Sequence, residues 1–256
     1  MCTLGLASVS SILAASSCPG LTVSHDGEPV GEFKNVSGIQ VYHSYAKGNP
    51  NNSNAILYVT DIYGVPLLQN KLLADSIARA NYNVIMPDLF NGDAVPVTSS
   101  EGPALNLTDW RARHPTAEID RIIGEIIAYM RNSLGVKRIG AVGYCFGGKY
   151  VPRFLSEGKG IDVGFIAHPS SLEAAEIQGI AGPISIAAGE LDSAFNATGR
   201  RKAEDILTSK NSTYEANLYS GAPHGFGVRV DLNNKRQKYA KEASFFQAIT
   251  WFNTWL

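Results

Sequence analysis

The residues best suited to chemistry in this sequence are Gly143-Tyr144-Cys145-Phe146-Gly147-Gly148. An apolar run, Arg138-Ile139-Gly140-Ala141-Val142, comes before them, and a stretch compatible with helix comes after. The pattern is strand, sharp turn and helix, with a cysteine at the apex. The apex residue of such a turn is held in a strained backbone conformation, and glycines at 143 and 147 remove the side chains that would crowd it. A thiol raised there faces the start of a helix, where negative charge is favoured, so it is suited to act as a nucleophile. A lone cysteine is otherwise more often a small buried apolar residue. The glycine frame after a strand favours the nucleophile.

A thiol nucleophile needs a base, and the base needs an orienting partner. The chain has five histidines. His25 and His43 fall early, in or near surface strands. His114 precedes Pro115 in a loop, and His168 ends a strand, where a structural role is the default. His224 lies in Ala222-Pro223-His224-Gly225-Phe226, a turn just past the last predicted strand that would hold it over the strand ends. Asp192, at the end of another strand-like run, is expected to orient it. Glu190 is the competitor, and a carboxylate at either position could instead cap the next helix. The chain order Cys145, Asp192, His224 is nucleophile, acid, histidine, as in α/β-hydrolases. His224 would carry the proton, and Asp192 would set its tautomer. Acyl transfer also needs an oxyanion hole. The expected donors are the backbone N–H groups of Phe146 and of Ile62, in the loop Asp61-Ile62-Tyr63-Gly64. Asp61 would then be a carboxylate at the mouth of the site, the alternative being a cap for the following helix.

The elements that must position these residues alternate between strand and helix, which implies a mostly parallel sheet covered by helices on both faces. Strands are expected at 38–46, 55–61, 83–89, 138–144, 162–168, 183–189 and 214–219. A helix over 66–81 has Pro66 near its first turn and Leu67, Leu68, Leu72, Leu73 and Ile77 on one face. The clearest helix spans 117–134, where Ile119, Ile122, Ile123, Ile126, Ile127 and Met130 trace a stripe and Gly135 is placed to end it. A short helix is expected between 168 and 183, and longer ones at 199–209 and 236–255. Residues 90–115 read as a long irregular stretch, the kind that often forms a lid or pocket wall.

At 256 residues and a formal net charge of −1, the chain suits one large α/β domain over residues 18–256. There is no basic block, so nucleic acid is not an expected partner, and no apolar run has the length of a membrane span. Three cysteines, Cys2, Cys18 and Cys145, make neither a disulfide framework nor a zinc pair, so no metal is expected. Residues 1–17 carry no charged side chain and read either as a weak signal peptide or as a loose tail. Sequons at Asn35, Asn51, Asn106, Asn196 and Asn211 lean toward secretion. Cytoplasmic and secreted locations both stay open, as does the oligomeric state.

The DIYG loop, the MPDLF strand end, GAVGYCFGGKY, AHPS, AAGELD and APHGFGVR together resemble the dienelactone hydrolase family, its fungal branch in particular. These pieces span nearly the whole chain. The resemblance implies an α/β-hydrolase fold and a Cys145–His224–Asp192 triad without a cofactor. It also implies cleavage of a small-molecule ester or enol-lactone through a thioester. Bacterial members carry a glutamate after the first core strand that helps deprotonate the cysteine; this chain has the shorter Asp61 there. The family also binds a substrate carboxylate with arginines, one of them four residues past the triad histidine. Arg229 lies five past His224, and Arg113 on the long loop is a second candidate; a solvated surface arginine is the alternative for both. Three other functions compete. A thioesterase would use the same triad. A class I amidotransferase would place its acid two residues after the histidine, where this chain has Phe226. A non-catalytic binding module would need none of the three.

Overall fold

The computed structural model describes residues 21–48, 51–97 and 106–256. The candidate leader at 1–17, Cys18 and the 98–105 part of the long loop lie outside these residues. Eight strands form one sheet in the order β1-β2-β4-β3-β5-β6-β7-β8. The strands are β1 Glu32–Val36, β2 Ile39–Ser44, β3 Asn54–Val59, β4 Asn83–Pro87, β5 Arg138–Tyr144, β6 Val163–Ala167, β7 Ile184–Leu191 and β8 Tyr214–Pro223. β2 runs antiparallel to β1 and β4. The pairs from β4 through β3 to β8 are parallel, as the strand–helix alternation requires.

Seven helices complete the described chain: α1 Leu68–Arg79, α2 Leu107–Arg113, α3 Thr116–Asn132, α4 Gly147–Phe154, α5 Ala174–Gly179, α6 Ala197–Ser209 and α7 Lys235–Trp255. Two cores lie on opposite faces of the sheet. One packs α3 and α4 through the six apolar residues read from the sequence, Ile119 to Met130, together with Val151 and Phe154. The other packs α1 and α7 through Leu73, Ile77, Phe245 and Phe252. The central strands are buried on both sides; in β3 every residue from Ala55 to Val59 is buried. No helix among the described residues is long and apolar enough to cross a membrane.

Three expectations need correction. β1 was not foreseen, because its residues Glu32–Asn35 are all exposed and carry no apolar alternation. Within 90–115 the chain forms α2, capped by Asn106 accepting from the N–H groups of Thr108 and Asp109. Leu68, placed on the buried face of α1, is exposed.

Candidate active site

The parallel register sets the site. β5 ends at Tyr144, and the next residue, Cys145, has φ 50°, a left-handed conformation. That value is uncommon for a residue with a side chain and marks the strained apex. The following N–H groups turn inward: Gly147 N donates to Thr60 O at 3.0 Å, and Gly148 N to Cys145 O at 3.1 Å. A Cβ at Gly147 would lie 2.1 Å from Val59 O; one at Gly143 would lie 2.5 Å from Gly147 O. The start of α4 is therefore pressed directly onto the end of β3, and only glycine permits it. Gly147→Ala is expected to cost about 3 kcal/mol or more, because the atoms in its way are backbone and cannot repack. Urea unfolding measures this; a variant as stable as the parent would contradict the packing described.

β7 and β8 bring the acid to the histidine. A register shift between Gly189 and Leu191 places Leu191 opposite Pro223. One residue further along both strands, Asp192 and His224 emerge side by side. His224 Nδ1 lies 2.9 Å from Asp192 Oδ1 and 3.0 Å from Oδ2, and His224 Nε2 lies 3.0 Å from Cys145 Sγ. Asp192 is buried and accepts from the N–H groups of Ala194 and Phe195 at 2.8 and 3.0 Å. Burial works against its charge, but the bonds from His224 and Phe195 outweigh it and lower the pKa. Burial likewise disfavours a charged His224. Its bonds to Asp192 and Cys145 prevail and raise the pKa to about 10. Glu190 turns the other way and accepts from Ser220 Oγ and Gly221 N.

The loop after β3 lies against the turn through the Gly147–Thr60 bond. Among the described residues, the N–H groups of Ile62 and Phe146 find no protein acceptor. They are thus available to an oxyanion. Asp61 is buried and does not cap α1; its Oδ1 accepts from Tyr63 N at 3.1 Å and Asn70 Nδ2 at 3.0 Å. Its Oδ2 lacks a hydrogen bond and faces Arg229 Nε at 3.8 Å. Burial raises the Asp61 pKa, partly offset by Asn70 and the Arg229 charge. The Arg229 guanidinium carbon lies 4.1 Å from the centroid of the Tyr63 ring.

The structure thus gathers Cys145, Asp192 and His224, and separately pairs Asp61 with Arg229 beside the Ile62 loop. It does not add Arg113. That side chain is exposed, with Nε 2.8 Å from Asp93 Oδ2, and none of its polar contacts among the described residues reaches the triad. Its neighbour Trp110 does approach: its ring is 5.9 Å from Phe146 and 4.9 Å from Phe90. The long stretch therefore reaches the nucleophile turn through a buried aromatic residue that packs on the Phe146 ring, rather than through an arginine. Asn70 and Tyr63 were not foreseen as site residues; Tyr63 belongs to the DIYG loop, whereas no sequence signal marks Asn70. Three of the other four histidines are engaged elsewhere: His25 with Glu242, His43 with Tyr45, and His114 with Asp93; His168 packs against the His224 ring.

Comparison with known proteins shows the family of the chain. The sequence model of the dienelactone hydrolase family matches residues 39–256. "Hydrolase pyvD" of Aspergillus violaceofuscus is 45% identical over 232 residues, covering 91% of this chain and 93% of that protein. "Hydrolase tropI" of Talaromyces stipitatus is 41% identical over 252 residues, covering 95% and 98%. Among solved structures, a putative dienelactone hydrolase from Klebsiella pneumoniae superposes with a TM-score of 0.74 at 15% identity, covering 88% of this chain and 99% of that one. The last match concerns the fold, an α/β-hydrolase fold. The chain belongs to the dienelactone hydrolase family and is a hydrolase of the ester- and lactone-cleaving class.

Proposed function

We propose that the protein cleaves a small ester or enol-lactone by nucleophilic catalysis from Cys145. One observation carries this: His224 spans Cys145 Sγ at 3.0 Å and Asp192 Oδ1 at 2.9 Å. That is the nucleophile–base–orienter arrangement of acyl transfer.

Cys145 Sγ adds to the substrate carbonyl carbon, its proton held on His224 Nε2. The carbonyl oxygen becomes an oxyanion received by the N–H groups of Ile62 and Phe146. The C–O bond breaks, and His224 gives its proton to the leaving oxygen; in a lactone this opens the ring. Water then adds to the thioester carbonyl while His224 accepts its proton, and the C–S bond breaks to free the acid and restore Cys145. A thiolate is easily expelled again, so the chemistry favours good leaving groups such as enolates. No step calls for a cofactor.

Beside the Ile62 loop the partly exposed Arg229 faces the buried Asp61 carboxyl at 3.8 Å. A substrate carboxylate could replace Asp61 as the partner of the Arg229 guanidinium. Arg229→Gln is expected to raise KM for a carboxylate-bearing lactone by about tenfold while leaving p-nitrophenyl acetate turnover nearly unchanged. An equal effect on both substrates would place Arg229 in the scaffold instead.

The amidotransferase alternative is disfavoured because the acid contacting His224 is Asp192, with Phe226 where that class has its acid. A thioesterase would share the triad, and a screen of lactones, aryl esters and thioesters separates the two. The direct test of the proposed function is alkylation. Iodoacetamide should modify Cys145 and abolish hydrolysis of p-nitrophenyl acetate or dienelactone in step with labelling. Full activity in the labelled protein would reject a cysteine nucleophile.

A further inference from the structure

His168 is fully buried, and neither of its ring nitrogens has a hydrogen-bond partner. Its backbone is also left-handed, at φ 39°. Two unpaired polar atoms and a strained backbone both cost stability. An apolar side chain would avoid the first cost, so stability alone does not explain a histidine here.

The sheet register shows what stands around it. β6 lies between β5 and β7. Tyr144 is opposite Ala167, and Ala167 is opposite Ala187. One residue further, Cys145 and His168 leave their strands as neighbours. His224 leaves β8, three strands from β5 in the sheet order, a span of roughly 14 Å at the usual strand spacing. To meet Cys145 it must cross the ends of β7 and β6. Over β7 it is held by Asp192. At β6 it meets His168, ring to ring, with centroids 5.3 Å apart and planes at 77°. The His168 ring is backed by Phe226 at 5.4 Å and Tyr144 at 6.0 Å. Burial first, and then the charge of His224, keep it neutral, lowering its pKa to about 3.

The choice of histidine then follows from size. A Cβ on Gly227 would stand 3.0 Å from His168 Nε2, so the ring tip already lies against bare backbone. A six-membered ring reaches further and would collide there. Histidine is the one aromatic side chain without a six-membered ring. Its nitrogens are unpaired because its shape, rather than its hydrogen bonding, is what the site uses.

The same segment also touches the nucleophile. Ser170 N donates to Cys145 O at 2.9 Å, and Ser170 Oγ is 3.8 Å from Cys145 Sγ. Pro169 packs against Gly148, where a Cβ would lie 2.6 Å from the proline Cβ. The turn that carries His168 is thus fastened to the nucleophile turn on one side and presents its ring to His224 on the other.

We propose that His168 is a positioning residue that fixes the ring plane of His224, and that its contribution is largest in the second half of the reaction. This rests on the cysteine-nucleophile reading above. In the free enzyme His224 is held at both nitrogens, by Asp192 and by Cys145. Once Cys145 is a thioester, the second hold is gone, and the bond to Asp192 is the one hydrogen bond left on the ring. The His168 contact remains and keeps Nε2 aimed at the water that attacks the thioester.

The test is pre-steady-state hydrolysis of p-nitrophenyl acetate, where the burst reports acylation and the later linear phase reports deacylation. His168→Ala should leave the burst rate within about threefold of the parent and slow the linear phase about tenfold or more, the scale of a misaimed catalytic group. His168→Leu, which fills the space without a flat ring, should show the same one-sided defect and serves if the alanine variant does not fold. A folded variant with the parental linear phase, or one in which both phases slow equally, overturns the proposal. Hydrolysis that persists at the parental rate in Cys145→Ala contradicts the nucleophile reading instead.

Discussion

Cys145→Ala will lower kcat/KM for p-nitrophenyl acetate by on the order of 10⁴-fold or more, because members of a triad act as a unit and loss of the nucleophile removes the covalent route altogether. The protein should remain folded. Alanine accepts the left-handed backbone at this position no worse than cysteine does, and the glycine frame at 143 and 147 is untouched. His224 Nε2 loses one partner, but its ring is 31% exposed, so water can replace the thiol. A large activity loss with an unchanged unfolding midpoint is therefore expected. Activity near that of the parent would mean that another group attacks the ester.

Asp192→Asn is the second large effect, about 10³- to 10⁴-fold in kcat. The amide oxygen can still accept from Ala194 N and Phe195 N, so the loop keeps its shape. The amide nitrogen is a donor, however, and turned toward His224 it would force Nδ1 to accept and put the proton on Nε2. The neutral imidazole then cannot take a proton from Cys145 or from water. The variant should also change the pH profile. His224 must be protonated to give its proton to the leaving oxygen, so activity on esters with poor leaving groups falls as pH rises past its pKa of about 10. Asp192 is one of the groups that stabilise the charged form. Removing its charge lowers that pKa, and the high-pH limb should move toward neutrality. A profile that stays where the parent's lies would show that Asp192 does not govern the protonation of His224.

The meeting of Cys145, Asp192 and His224 was legible in the sequence because each follows a strand, and two of them sit in glycine-rich turns. Cys145 is announced by Gly143 and Gly147, and His224 by Pro223 and Gly225. Choosing Asp192 over Glu190 needed more, because it depends on the shift that pairs Leu191 with Pro223. A strand irregularity of this kind leaves no mark on hydrophobic periodicity. β1 escaped for a related reason: residues that face solvent on both sides carry no alternation. α2 was hidden because it is seven residues long and stands in a stretch rich in glycine, proline and serine. Arg113 was placed by its position on the long loop, but Asp93 engages it at the surface. The contact between His168 and His224 depends on the ends of four strands lying side by side, so it belongs to the tertiary structure alone.

The central claim is that the acyl group passes through Cys145. Mixing the enzyme with p-nitrophenyl acetate, quenching in acid within the burst and mapping peptides by mass spectrometry tests it most directly. An acetyl group on the peptide that contains Cys145, gained during the burst and removed by hydroxylamine at neutral pH, is the predicted result. Hydrolysis at the normal rate with that peptide unmodified, or with acetyl on a different residue, would contradict it.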